Sequence, residues 1–308
     1  MVNVLKIGHA EFIVTDLSAS TAYYSEVLGL TVTESDSKAA YLASTIDHHS
    51  IILRAGGENK LAKLAFQIAP GDAGDAVKYL AGHGLKAESL SDSQPGIGRA
   101  VRTADPDGFA IELYAEPEVK SRPYTHIGIM PFKLGHVAIL STDVEKSVAF
   151  YREVLGFRFS DSMRKFFYFL RCGADHHTVN IFSGEHAAMQ HIAFALNDFT
   201  HVRTACDVLR RHKIPVLWGP LRHGIGHNIA VYHKNVDGQI VEVYAELDTM
   251  SNEGLGYFDP RPWHEDIPQR PKEWADVEAA SNLWGFPPPK EFLGGVGGAA
   301  MAMGGKPA

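Results

Sequence analysis

Two stretches, residues 7–30 (IGHAEFIVTDLSASTAYYSEVLGL) and 134–157 (LGHVAILSTDVEKSVAFYREVLGF), carry the same order of apolar and polar positions. Each opens on a short β-type run, HAEFIV or HVAILS, and then reaches an Asp suited to an N-cap. The apolar-periodic segment that follows predicts a helix. Leu28-Gly29 and Leu155-Gly156 close these helices, because glycine takes a left-handed C-terminal cap without a Cβ penalty. Further alternating runs predict strands, and Asp107-Gly108 and Asp237-Gly238 predict hairpin turns leading into ELYAE and EVYAE. Helices between the two halves of each stretch are expected over 72–84 and 198–213.

The pattern is therefore a long internal repeat. His9 pairs with His136 at an offset of 127, Asp47-His48-His49-Ser50 with Asp175-His176-His177-Thr178 at 128, and residues 104–116 with 234–246 at 130. The few extra residues enter loops, where insertions are tolerated. This order predicts an α+β protein of two tandem βαβββ-type modules, residues 1–121 and 122–250, with a C-terminal extension over 251–308. A single module is not expected to close its own sheet, so the two copies should pair, the concave face of each becoming a pocket. Residues 117–132 read as a linker. The extension, with Trp263, Trp274 and Trp284, is expected to wrap the core or a partner subunit, and its Gly/Ala-rich end (294–308) to be mobile.

Composition narrows the function classes. At 308 residues the chain can bury two cores. A formal charge of −7 argues against a broad nucleic-acid footprint. The absence of a long apolar run and of a basic-then-apolar start points to a cytoplasmic protein acting on small molecules, without a membrane partner. Cys172 and Cys206 have no CxxC spacing, which leaves no disulfide framework or zinc knuckle. Self-association into a homo-oligomer is expected from the Trp-rich extension and an exposed first-module sheet.

Sixteen histidines are the oddity. His136, His191 and Glu242 fall on three separate predicted strands of the second copy. One strand histidine is ordinarily a satisfied core residue, but two imidazoles and a carboxylate facing one pocket make the facial set that holds Fe(II) or Mn(II) with open positions. The first copy has His9, Lys63 and Glu112 at these positions, and an ammonium cannot ligate a cation. His177, His223 and Tyr232 lie at repeat-related positions near the expected metal, where the first copy has His49, Pro95 and Arg102. His177, placed in the strand before that of His191, suits acid–base work. His223 and Tyr232 suit hydrogen bonds to a metal-bound oxygen. His233 alternates to the opposite face from Tyr232, and His176 points away from His177 if the segment is extended. Phe169, Phe182, Trp218 and the C-terminal extension are candidates for the substrate wall, each equally explained as core packing.

The segments LGHVAI, ADHHTVNIF, MQHIAFAL, GPLRHGIGHN and IVEVYAE resemble the type I extradiol dioxygenases of the vicinal oxygen chelate superfamily, over roughly residues 1–250. The resemblance implies paired βαβββ modules with the metal in one of them. It assigns ligation of Fe(II) or Mn(II) to His136, His191 and Glu242, acid–base chemistry to His177, and stabilising roles to His223 and Tyr232. The implied reaction is ring cleavage of a catechol by O2. Glyoxalases and antibiotic-resistance binders share the module. A glyoxalase-like isomerase or lyase is the main alternative, and it ordinarily needs a further carboxylate as base; a non-catalytic binder would not need the metal triad.

Overall fold

The computed structural model describes residues 2–44, 46–121 and 126–297. The first copy forms an eight-stranded sheet from β1 (Val4–Val14), β2 (Thr31–Ser35), β3 (Ala39–Ala43), β4 (Ile51–Ala55), β5 (Lys60–Ile68), β6 (Glu88–Gln94), β7 (Ile97–Ala104) and β8 (Ala110–Tyr114). Its order is β2-β3-β4-β1-β5-β8-β7-β6. The second copy repeats this order with β9 (Lys133–Ser141), β10 (Arg158–Met163), β11 (Phe167–Arg171), β12 (Val179–Ser183), β13 (Ala188–Ala195), β14 (Val216–Arg222), β15 (Ile229–Lys234) and β16 (Ile240–Ala245). A ninth strand, β17 (Lys272–Trp274), comes from the C-terminal extension and pairs with β10 at the edge.

Each copy thus carries the βαβββ unit twice. The units meet where the first strand of each lies antiparallel to the other, β1 on β5 and β9 on β13. The expectation that a copy cannot close its own sheet is corrected here: the pairing occurs inside each copy. The copies then pack back to back through their helix-bearing faces. Phe66 of the first copy meets Tyr151 and Phe157 of the second, and Tyr24 meets Phe194. The polar contacts across this seam are reciprocal. Ser20 donates to Asp237 at 2.9 Å and its repeat mate Ser147 donates to Asp107 at 2.6 Å. His233 joins the seam too, 2.6 Å from the Tyr23 hydroxyl, away from the site as its alternation predicted.

The helices follow the sequence signals. Asp16 caps α1 (Leu17–Ala22) by accepting from the Ala19 amide, and Asp143 caps α3 (Val144–Ala149) by accepting from Lys146, each cap worth about 1 kcal/mol. Both helices run into a π-turn, Tyr23–Val27 and Phe150–Val154, before Gly29 and Gly156 at φ +80 and +74. The intermediate helices are α2 (Ala76–Gly82) and α4 (Phe199–Arg211), the latter capped by Asp198. None of the described helices is long and apolar enough to cross a membrane.

The extension wraps the second copy. Ala280 and Val296 are buried against Leu140, Phe167 and Phe182, and Phe292 against Trp218 and Tyr232. Gly184 bridges Val296, so residues 295–297 of the expected mobile end are packed, while 298–308 lie outside the described residues.

Candidate metal centre

The strand pleat puts Val137 and Ile139 into the seam between the copies and sends His136 to the opposite face. His191 on β13 pairs with Ala138 and Ile240, and Glu242 on β16 pairs with Ala193 and Tyr232. Three adjacent strands therefore deliver three side chains to one spot. Gly135 lets the Tyr244 ring lie across β9 beside His136, since a Cβ there would collide with it. Gly8 and Tyr114 repeat the arrangement in the first copy.

His136 Nε2 is 2.9 Å from Glu242 Oε2, His191 Nε2 is 3.2 Å from the same oxygen, and the two nitrogens are 3.2 Å apart. All three side chains are buried. The Asn228 amide donates to the other oxygen, Oε1, at 2.9 Å and orients the carboxylate. Gln190 Nε2 donates to the Phe292 carbonyl at 2.8 Å, which can only accept, so the Gln190 amide oxygen faces His191 Nδ1. That nitrogen carries the proton, and His191 Nε2 points a lone pair into the triangle. Three donor atoms converging on one point, two of them oriented by outer partners, Gln190 for His191 and Asn228 for Glu242, fit a divalent ion of the Fe(II) or Mn(II) kind. Burial opposes a charge on Glu242, yet the two imidazoles hold its carboxyl well below the usual range.

A second cluster, His227, Asp248 and His264, provides a contrast. Its two rings address different oxygens of the carboxylate, His227 Nδ1 at 2.7 Å on Oδ2 and His264 Nε2 at 3.0 Å on Oδ1. That geometry is a carboxylate accepting two N–H bonds, and it pins the extension to the loop after β14.

His177 stands just ahead of β12, not within it, and its ring lies 4.3 Å from that of His136. Burial pushes its pKa well below the ordinary value, with His136 and His176 adding to the effect. His223 follows β14, donates Nδ1–H to the Ser281 carbonyl at 2.7 Å, and meets the Tyr232 hydroxyl at 2.8 Å through Nε2. Burial lowers His223 to about 4, against the opposing pull of Glu242, so it is neutral at neutral pH. Burial and then Glu242 raise the Tyr232 hydroxyl well above its ordinary pKa.

These six residues and Phe169, Phe182 and Trp218 line one cavity, together with Met163, Phe167, Ile225, Phe292 and Leu293. All nine sequence candidates are brought together. The reading of His176 as pointing away is corrected: it is fully buried and bonds His177 Nδ1 to Nδ1 at 3.0 Å. The segment bends ahead of β12 instead of extending. A His-His pair at the same place in both copies was the available signal. The extension lines the cavity as expected, through Ala280, Ser281, Pro288, Phe292 and Leu293, whereas Gln190 and Asn228 escaped the sequence reading because no motif marks either residue.

The family model described as the Glyoxalase/Bleomycin resistance protein/Dioxygenase superfamily matches residues 6–113 and 133–243, and the chain belongs to this superfamily. It is 24% identical over 311 residues to a manganese-dependent 2,3-dihydroxybiphenyl 1,2-dioxygenase of Geobacillus genomosp. 3, covering 92% of this chain and 94% of that one. Homoprotocatechuate 2,3-dioxygenase from Arthrobacter globiformis superposes with a TM-score of 0.81 at 27% identity, over 96% of this chain and 92% of that one. A Mn(II)-bound glyoxalase from Novosphingobium aromaticivorans has a TM-score of 0.82 at 24% identity over 94% of each, a likeness of fold.

Proposed function

We propose that this chain is an extradiol dioxygenase, cleaving the ring of a catechol-type diol beside its hydroxyl-bearing carbons with O2 at Fe(II) or Mn(II) held by His136, His191 and Glu242. The observation that carries the reading is the convergence of both Nε2 atoms on Glu242 Oε2 at the base of a cavity that also presents His177, His223 and Tyr232. The bound ion supplies the charge that acidifies a diol hydroxyl and a common template for diol and dioxygen.

The chain's own groups do the rest. His177, neutral because burial disfavours its cation, takes the proton from a hydroxyl of the diol and returns it as acid when the ring opens. The Tyr232 hydroxyl rests on His223 at 2.8 Å and, turned from that acceptor, donates to negative charge developing on oxygen, with His223 positioning it. Apolar rings hold the substrate edge-on to the site and exclude water.

The wall also favours a substrate class. Among its described residues there is no Lys or Arg, and those beyond the metal site are mainly Phe, Met, Ile, Leu and Trp. A catechol with an apolar alkyl or aryl substituent suits it, whereas the carboxylate of 3,4-dihydroxyphenylacetate would be buried without a counter-charge. The glyoxalase-like alternative draws no support from the cavity, where Glu242 is the one carboxylate among the described lining residues.

Anaerobic reconstitution with Fe(II) or Mn(II), followed by oxygen uptake on alkyl-, aryl- and carboxylate-substituted catechols, tests the reading. Uptake of O2 with a yellow ring-fission product, fastest on the apolar catechols, is expected. Metal binding without oxygen uptake across the panel would move the assignment to an isomerase or lyase.

A further inference from the structure

The C-terminal extension reaches three histidines of the site, His223 directly and His191 and His177 through intervening side chains, by polar contacts of defined direction. We infer that the extension sets which ring nitrogen carries the proton in His177, His191 and His223, leaving Nε2 of each as the acceptor at the cavity.

For His223 the contact is direct: the Ser281 carbonyl accepts Nδ1–H at 2.7 Å, so Nε2 must accept from the Tyr232 hydroxyl. For His191 it passes through one side chain, because the Phe292 carbonyl turns the Gln190 amide so that its oxygen faces Nδ1. For His177 it passes through two. Asp161, fully buried, accepts from the Lys272 amide at 2.8 Å and the Trp274 indole at 3.0 Å, both on β17. Its oxygen Oδ2 also faces His176 Nε2 at 3.1 Å. A carboxylate receiving these donors fixes the His176 proton on Nε2, which leaves His176 Nδ1 as an acceptor. His177 Nδ1, 3.0 Å away, must then be the donor, and the nitrogen His177 offers to the cavity is bare Nε2.

Free histidine in water prefers the opposite tautomer, with its proton on Nε2, so this pattern in three residues requires a cause. The first copy isolates it. Glu34, His48 and His49 form the same chain, at 3.1 and 3.0 Å, but no strand among the described residues covers the edge and Glu34 is 55% exposed. The second copy replaces that solvated carboxylate with one clamped by the added strand β17.

On the dioxygenase reading, on which only this consequence rests, the relay prepares His177 as a base. The diol O–H bond breaks, the proton joins His177 Nε2, and the resulting imidazolium shares its Nδ1 proton with His176, whose Nε2–H rests on the Asp161 carboxylate. Asp161 and His176 are positioning residues in this scheme; neither touches substrate.

The test is the ring-nitrogen spectrum of the metal-free protein labelled with ¹⁵N-histidine, correlated to the carbon-bound ring protons. The result expected is a protonated Nδ1 and a bare Nε2 in His177, His191 and His223. His176→Phe keeps the ring stacked on Phe258 and removes the acceptor. It is expected to release the His177 tautomer and lower kcat of the reconstituted enzyme about a hundredfold, with KM for the catechol within about twofold. His176→Asn restores an acceptor and should recover at least about tenfold of that loss. A proton on Nε2 of His177 in the wild type, or an unchanged His177 tautomer in His176→Phe, overturns the inference. Should His176→Phe not fold, the wild-type spectrum still decides. An inactive wild type with the three predicted tautomers would reject the dioxygenase reading and leave the assignment standing.

Discussion

The two copies solve the same electrostatic problem with different cations. In the first, Lys63 Nζ stands 3.2 Å from Glu112, 3.1 Å from Glu11 and 2.8 Å from the Gln94 amide oxygen, and the pocket neutralises itself. In the second, the matching position is His191, and the carboxylate of Glu242 faces two imidazoles with no Lys or Arg among the described cavity residues. A buried carboxylate without a positive partner is costly. The fold therefore supplies the charge internally in one copy and leaves it to a metal in the other. The scaffold is shared, and at the three ligand positions the one change of residue type, imidazole to ammonium, separates a self-neutralised site from one suited to a metal.

The largest effect expected is from copying the first site into the second. His191→Lys should abolish metal binding and turnover while the melting temperature stays near that of metal-free wild type, since an ammonium beside Glu242 reproduces the Lys63–Glu112 pair. Circular dichroism and oxygen uptake on the same preparation check both halves. His177→Ala comes next: turnover should fall about 10²- to 10⁴-fold with metal content unchanged, as measured by single-substrate kinetics and elemental analysis.

The converse change in the first copy should affect stability alone. Lys63→Met leaves Glu112, fully buried, without its ammonium, at a cost of about 3–5 kcal/mol in urea unfolding with turnover per folded molecule intact. A loss of turnover in the folded variant would mean that the first site takes part in catalysis.

The smallest effect concerns the paired turns. Asp105 and Asn235 hold the same turn, each accepting two amides through Oδ1, but burial raises the Asp105 carboxyl to about 6. A raised folded value means that the fold prefers the neutral acid. Its stability therefore falls as pH rises from the ordinary carboxylate range through about 6, and stays lower above that. Asp105→Asn should stabilise the protein by about 1–3 kcal/mol above pH 6 and by little near pH 3.5, read from unfolding at the two values. Equal effects at both would remove ionisation as the cause.

Much of this contrast was legible in the sequence because it is local or periodic. The caps at Asp16 and Asp143, the glycine stops at Gly29 and Gly156, and the alternation that turns His136 and Glu242 to one face all follow from near neighbours. So did the replacement of His191 by Lys63 across the repeat. The doubling of the βαβββ unit within each copy was missed, because the two units of a copy share a shape and little sequence. The contacts of Gln190, Asp161 and His223 with the extension span 58 to 113 residues, and nothing periodic announces them. His176 was misplaced because strand alternation was applied to a segment that bends.

Metal counting tests the central contrast most directly. The protein, stripped and then titrated with Mn(II), is expected to take up one ion per chain by elemental analysis, and His136→Ala none. Two ions per chain, or one retained in His136→Ala, would contradict it.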